Sequence, residues 1–162
     1  MPFVTNNKVV KKITSFDGCI ISYQHFKKRK KRLKKSINKK EQPTLVLLHG
    51  VGSNCTVWRN ELRTFLQQGY PILNIDLRGH GQSGTPTEFE RYQLPHFSKD
   101  LYKVLDKEKI KNFVFVGHSL GGAIALNYVM NYKKRYPASI VFIDSASAYP
   151  FNHNRLLNLS PY

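Results

Sequence analysis

The sequence predicts an α/β fold: a doubly wound, mostly parallel sheet with an antiparallel hairpin at its N-terminus. Three observations carry this. From Thr44 onward, short apolar runs alternate with helical patterns, and such alternation builds a parallel sheet with helices on both faces. One run, Phe113-Val114-Phe115-Val116, breaks into Gly117-His118-Ser119-Leu120-Gly121-Gly122 and then into good helix formers. Upstream, two strand-like runs flank Asp17-Gly18, a hairpin dipeptide.

The elements follow in order. Strands are expected over 9–14 and 19–26, with a basic insertion over 27–42 before the next strand. That strand, starting at Thr44, is Thr44-Leu45-Val46-Leu47-Leu48 and ends in His49-Gly50. A helix is predicted over 54–68, with Val57, Trp58, Leu62, Phe65 and Leu66 on one face by three-and-four spacing, and Gly69 stops it. Trp58 reads as a core residue. A strand follows over 70–76 and runs into the glycine-punctuated Asp76-Leu77-Arg78-Gly79-His80-Gly81-Gln82-Ser83. Residues 85–93 are polar, contain a proline and read as a loop. A second helix is expected over 94–109, with Leu94, Phe97, Leu101, Val104 and Leu105 as its stripe. After the Ser119 turn and its helix, a sixth strand is predicted over 139–144. The tail over 148–162 is irregular.

At 162 residues the chain is at most one domain, and 41% hydrophobic residues suffice for a core. Cys19 and Cys55 stand at no metal-ligand spacing and read as two reduced thiols. The first residues lack an apolar signal-peptide core, and no apolar run approaches bilayer length. A cytoplasmic protein without a cofactor is the expectation.

Charge is unevenly spread. The chain carries +16, and ten of its 26 basic residues lie between Lys27 and Lys40 in a segment with no acid. The rest is therefore only mildly positive, at +6. Such a block repels itself and is ordinarily a solvated loop. Its competing reading is a docking element for an anionic membrane surface. Nucleic acid is the weaker partner, because few aromatics interleave the block.

The chemistry concentrates at Ser119. A serine on a sharp turn between a buried strand and a helix holds its hydroxyl above the sheet edge, and flanking glycines permit the turn. The helix beginning there aims free N–H groups and a positive dipole end at any anion formed beside the serine. The N–H of Leu120, directly after the nucleophile, is the first donor for such an anion. A lone Gly-x-Ser-x-Gly is a weak pattern, but here strand and helix stand on either side of it.

Together, His49-Gly50, Asp76-Leu77-Arg78-Gly79-His80-Gly81 and Gly117-His118-Ser119-Leu120-Gly121-Gly122 resemble the α/β-hydrolase superfamily of serine hydrolases, over about Val9 to Pro150. The resemblance implies a serine esterase or lipase-like hydrolase of small-molecule carboxylic esters or related acyl compounds, working through an acyl-enzyme at Ser119. It implies that Val51 supplies the second oxyanion donor, and that His49 and His80 shape their loops and are not bases. Asp76 and Arg78 are expected to tie their loop together. His118 is expected to pack or to line the pocket. An epoxide hydrolase or dehalogenase is disfavoured, since these place an aspartate where this chain has Ser119.

The superfamily orders its triad serine, acid, histidine. After Ser119 the sequence offers one acid, Asp144, and one histidine, His153. Asp144 is at the strand end where the pancreatic-lipase type carries its acid, although a strand-end aspartate capping the next loop is the favoured reading. His153 is only nine residues further on, where the superfamily starts its lid, so 148–162 reads as a lid segment and His153 as a poor base. Six strands against the superfamily's eight give the expectation of an incomplete fold, the N-terminal half, with acid and base elsewhere and little activity of its own. The alternative is a non-catalytic remnant that binds an anionic membrane or nucleic acid through 27–40.

Overall fold

A computed structural model describes residues 10–27 and 42–145. Strands β1 (Val10–Thr14) and β2 (Ile20–Phe26) form the antiparallel hairpin, Thr14 opposite Ile20. Gly18 takes φ +85° in its turn, and the Asp17 carboxylate accepts the Cys19 N–H at 3.2 Å. That left-handed position suits a residue without Cβ, and the aspartate mimics a backbone turn.

Four further strands, β3 (Thr44–Leu48), β4 (Ile72–Ile75), β5 (Phe113–His118) and β6 (Ser139–Ile143), complete a sheet of order β1-β2-β4-β3-β5-β6. β2 joins β4 antiparallel, and every later pairing is parallel. β3 and β4 are buried at every position, as central parallel strands covered on both faces should be.

Alternation along β3 and β4 divides two cores. Val46, Leu48, Leu73 and Ile75 face Phe97, Leu101, Val104 and Leu105 of α2 (Leu94–Lys107) and Ile124 and Tyr128 of α3 (Leu120–Asn131). Leu45, Leu47 and Ile72 face Trp58 and Leu62 at α1 (Arg59–Gln67). Each fully buried aliphatic or aromatic side chain contributes about 1.5–3 kcal/mol by leaving water. The predicted stripe of α2 is thus the buried one.

The region predicted as one helix over 54–68 differs. Cys55–Trp58 is a 3-10 turn, capped by the Asn54 side chain, which accepts the Thr56 N–H at 2.9 Å. Its three residues per turn shift the phase relative to α1, so Val57 is left 52% exposed. Leu66, one step round from the partly buried Phe65, is 37% exposed. The loop predicted over 85–93 contains a further 3-10 turn, Phe89–Tyr92. Arg91 pins it by donating from Nε to Asp17 Oδ2 at 3.2 Å and from Nη2 to the Asp17 carbonyl at 2.6 Å.

Among the described residues, β6 is paired on one side only, and Val141, Phe142 and Ile143 are 44, 47 and 40% exposed. A groove of about 300 Å³ runs between this strand and α1, lined by Leu47, Trp58, Phe65, Val116, Val141 and Ile143 among others. The predicted insertion and tail fall largely or wholly outside the described residues, as do Lys28 to Lys40 and His153. No described helix is long and apolar enough to cross a membrane.

Glu108, just past α2, ties the hairpin to the body. Its Oε1 accepts from Lys11 Nζ at 2.7 Å and from the Tyr23 hydroxyl at 2.9 Å, and its Oε2 meets His25 Nδ1 at 2.7 Å. Burial works against the charge, but these donors hold the carboxyl at about 2, below its ordinary 4.5. A carboxylate depressed by folding contributes stability above its unfolded value and loses it as pH falls toward the folded one. Glu108→Gln is therefore expected to lower unfolding free energy by about 1–2 kcal/mol at neutral pH, with the deficit vanishing as pH drops from about 4.5 to about 2. Urea unfolding of both proteins across that range measures it.

Candidate active site

β5 delivers its last residue, His118, to the sheet edge, and the chain reverses at Ser119 to enter α3. Ser119 has φ +49° and ψ −114°, a left-handed conformation that costs a residue with a Cβ about 1–3 kcal/mol. Neighbouring backbone holds it there. Its N–H donates to the Ile143 carbonyl at 3.0 Å, and its carbonyl accepts from Gly122 N–H at 3.0 Å. The glycines of the motif serve close approach instead of a positive φ. A Cβ on Gly117 would sit 2.5 Å from the Gly122 nitrogen, and one on Gly121 would run into the Leu48 carbonyl oxygen. Only with both bare can α3 start directly over β3 and β5.

Ser119 is half-buried, and among the described residues its hydroxyl has no hydrogen bond. Leu120 opens α3, so its N–H is one of the helix's orphan donors, and no described acceptor takes it. The loop after β3 lies against this turn: a Cβ on Gly50 would be 3.3 Å from Ser119 Cβ and 2.8 Å from His118 Nδ1. Val51 follows, its side chain 72% exposed. Its N–H has no acceptor among the described residues either.

His49 and His80 hold this loop. His49, wholly buried, accepts the Leu77 N–H on Nε2 at 3.0 Å and so carries its proton on Nδ1, which meets the Gly50 carbonyl at 2.7 Å. Burial pushes its pKa down. His80 repeats the arrangement, accepting Gly52 N–H on Nε2 at 3.1 Å, with Nδ1 2.9 Å from the Arg78 carbonyl. Both imidazoles have spent their lone pair on a backbone amide. Neither is free to take a proton from Ser119.

Asp76 is likewise occupied. Its carboxylate accepts from Cys55 N–H at 2.7 Å and Gln82 N–H at 3.0 Å, joining the loops after β3 and β4. Arg78 is directed away from the site into a buried ion cluster with Asp17 and Asp100. Asp144 ends β6 at φ +45°, exposed, one residue past the register pair Ile143–His118. Strand pairing therefore brings Asp144 to the level of Ser119 along the sheet edge.

One contributor was not visible in the sequence. The Ser145 hydroxyl is 3.2 Å from the Ser119 carbonyl oxygen, 3.3 Å from that of Gly117 and 3.0 Å from that of Ile143. A Cβ on Gly122 would collide with it. A small residue at the end of the following strand is the only signal, and small residues there are common. Neither described concavity touches Ser119: one is the β6 groove, the other, about 210 Å³, lies by Cys55, Arg59 and Asn74. Among the described residues no three His, Cys, Asp or Glu side chains could hold a metal.

Comparisons with known proteins agree with this fold. A family model described as alpha/beta hydrolase fold matches residues 43–159. The bifunctional epoxide hydrolase 2 of Sus scrofa is 33% identical over 96 residues, which are 59% of this chain and 17% of that protein. An esterase from Exiguobacterium antarcticum superposes with a TM-score of 0.71 at 24% identity, over 85% of this chain and 46% of its own. Epoxide Hydrolase A from Mycobacterium thermoresistibile gives 0.71 at 22% identity, over 93% and 45%. At such identities the two structures speak for the fold alone. The chain spans less than half the length of each of these three relatives.

Proposed function

We propose, since the chain belongs to the alpha/beta hydrolase fold family, that Ser119 is the nucleophile of a hydrolase of carboxylic esters or related acyl compounds. The observation that carries this is the backbone of Ser119, held in a left-handed turn at the β5–α3 junction against the loop after β3, with the Leu120 and Val51 N–H groups lacking an acceptor among the described residues. In this reading Ser119 Oγ attacks the acyl carbon and its proton passes to a base. The carbonyl oxygen gains the charge, received by the N–H groups of Leu120 and Val51. Collapse expels the alcohol with a proton, and water then cleaves the acyl-serine. Each oxyanion donor supplies about 3–4 kcal/mol of transition-state stabilisation.

The names of the relatives raise epoxide hydrolysis as the neighbouring chemistry. A serine oxygen opening an epoxide would form an alkyl ether, which water does not cleave under mild conditions. A carboxylate forms an ester that can turn over. Ser119 therefore favours acyl transfer. His49 and His80 are committed to backbone amides, so neither is the base that takes the Ser119 proton.

Stoichiometric labelling tests the reading without demanding turnover. On long incubation at mildly alkaline pH, a fluorophosphonate should add one phosphonyl group, mapping to the peptide that contains Ser119 and lost in Ser119→Ala. An unlabelled but folded wild type, or labelling that survives in Ser119→Ala, would overturn it.

A further inference from the structure

The four parallel strands give the sheet two unlike edges. Ser119, Gly50, Asp76 and Asp144 all follow C-terminal strand ends, and so share one edge. The opposite edge collects the segments that lead into strands. These are 68–71 before β4, which carries no charge, 108–112 before β5 and 132–138 before β6, and Lys27 joins them because β2 runs antiparallel to β4 with Phe26 opposite Ile72. With β3 five residues long, the edges stand about 16 Å apart.

That opposite edge is basic. Lys107, Lys109, Lys111, Lys133 and Lys134 are all exposed there, and none is ion-paired among the described residues. The acids nearby are already engaged: Glu108 by Lys11, His25 and Lys27, and Asp106 by Arg135 at 3.2 Å. Helix-end electrostatics account for Lys107 in the last turn of α2 and favour Lys133 and Lys134 just past the C-cap of α3, so the ends of two helices add to the positive charge of this edge. The Lys- and Arg-rich sequence between β2 and β3 leaves the described structure at this same edge, at Lys27, and re-enters it just before Thr44.

The geometry points to this edge as a docking face for an anionic lipid membrane, which leaves Ser119 on the side away from the bilayer. Positive charge gathered from two loops on the rim of a sheet matches a plane of anionic headgroups better than a groove for one strand. The exposed apolar residues nearby suit a headgroup layer: Met130 near the end of α3 is 67% exposed and Tyr136 is 53% exposed. The basic run itself has Leu33 and Ile37 as its apolar members and no aromatic, so it lacks the stacking platforms of single-strand binders. This assignment does not depend on whether Ser119 is acylated.

Vesicle co-sedimentation of the full chain tests it, with phosphatidylcholine alone and with about 30% phosphatidylserine. Binding is expected only to the anionic vesicles, weakening tenfold or more between about 50 and about 500 mM salt as the charges are screened. A variant with Lys107, Lys109, Lys111, Lys133 and Lys134 all changed to Gln, with the 27–40 sequence intact and circular dichroism unchanged, should bind about tenfold more weakly. Unchanged binding by that variant would overturn the edge assignment. Equal binding to neutral vesicles, or duplex or single-stranded DNA displacing the protein from vesicles at the same ionic strength, would overturn the membrane assignment. Should the five-fold variant fail to fold, Lys133→Gln/Lys134→Gln alone, on an exposed loop, should still weaken binding measurably, and no change would count as refutation.

Discussion

Ser119→Gly is expected to remove the phosphonate adduct completely while raising the stability of the chain by about 1 kcal/mol. The two effects come from one cause. Ser119 sits at φ +49° and ψ −114°, where a Cβ is crowded by the adjacent backbone and a glycine is not. Relief of that strain is worth about 1–3 kcal/mol, and the extra freedom of an unfolded glycine takes back roughly 0.5–1 kcal/mol. For a chain of this length the net gain is a melting point raised by about 2–4 °C. Ser119→Ala separates strain from the hydroxyl: it also loses the adduct, but keeps the Cβ and should stay within about 0.5 kcal/mol of wild type. A Ser119→Gly protein less stable than Ser119→Ala would mean that the turn is not strained and that its geometry has no functional origin.

The fold was legible because it rests on periodicity. The alternation of apolar runs with helical stripes located four strands and three helices, and Asp17-Gly18 marked the hairpin that supplies the other two strands. The nucleophile turn was legible for a different reason: Gly117, Gly121 and Gly122 are bare where a Cβ would strike backbone or Ser145, so steric need is written as residue identity. Features built from contacts distant in sequence were not legible. Ser145 reaches the carbonyl oxygen of Ser119, 26 positions earlier, through an ordinary hydroxyl. Val57 escaped the predicted stripe because a 3-10 turn shifted its phase. Arg78 reads in sequence as part of a glycine-rich loop, and nothing local shows that it is among the most buried side chains in the protein.

Arg78→Met should destabilise the chain by about 3–5 kcal/mol, a large part of the 5–15 kcal/mol typical of a domain. The Arg78 side chain is 0% exposed. Its Nε and Nη2 donate to the two oxygens of Asp100 at 2.7 Å each, and its Nη1 donates to Asp17 Oδ2 at 2.9 Å and to the Arg91 carbonyl at 2.7 Å. Burial opposes the charge on Asp17, yet the Arg78 guanidinium holds its carboxyl well below the usual 3.8. Methionine fills most of the volume but leaves Asp100 with the Ser15 hydroxyl as its remaining described partner. The loss is therefore of compensation for buried charge, more than of attraction. Two consequences distinguish this from simple loss of packing. The deficit should shrink as pH falls below about 4, because acid neutralises the stranded carboxyls while wild type loses the stability that Asp17 contributes above its unfolded pKa. Adding Asp17→Asn and Asp100→Asn to Arg78→Met should recover part of the loss, since amides bear burial better than unpaired carboxylates. Chemical denaturation of the three proteins at pH about 7 and about 3.5 measures both. A deficit unchanged by pH and by the added substitutions would assign Arg78 to packing alone and remove the ion cluster as the clamp between the hairpin, the loop after β4 and α2.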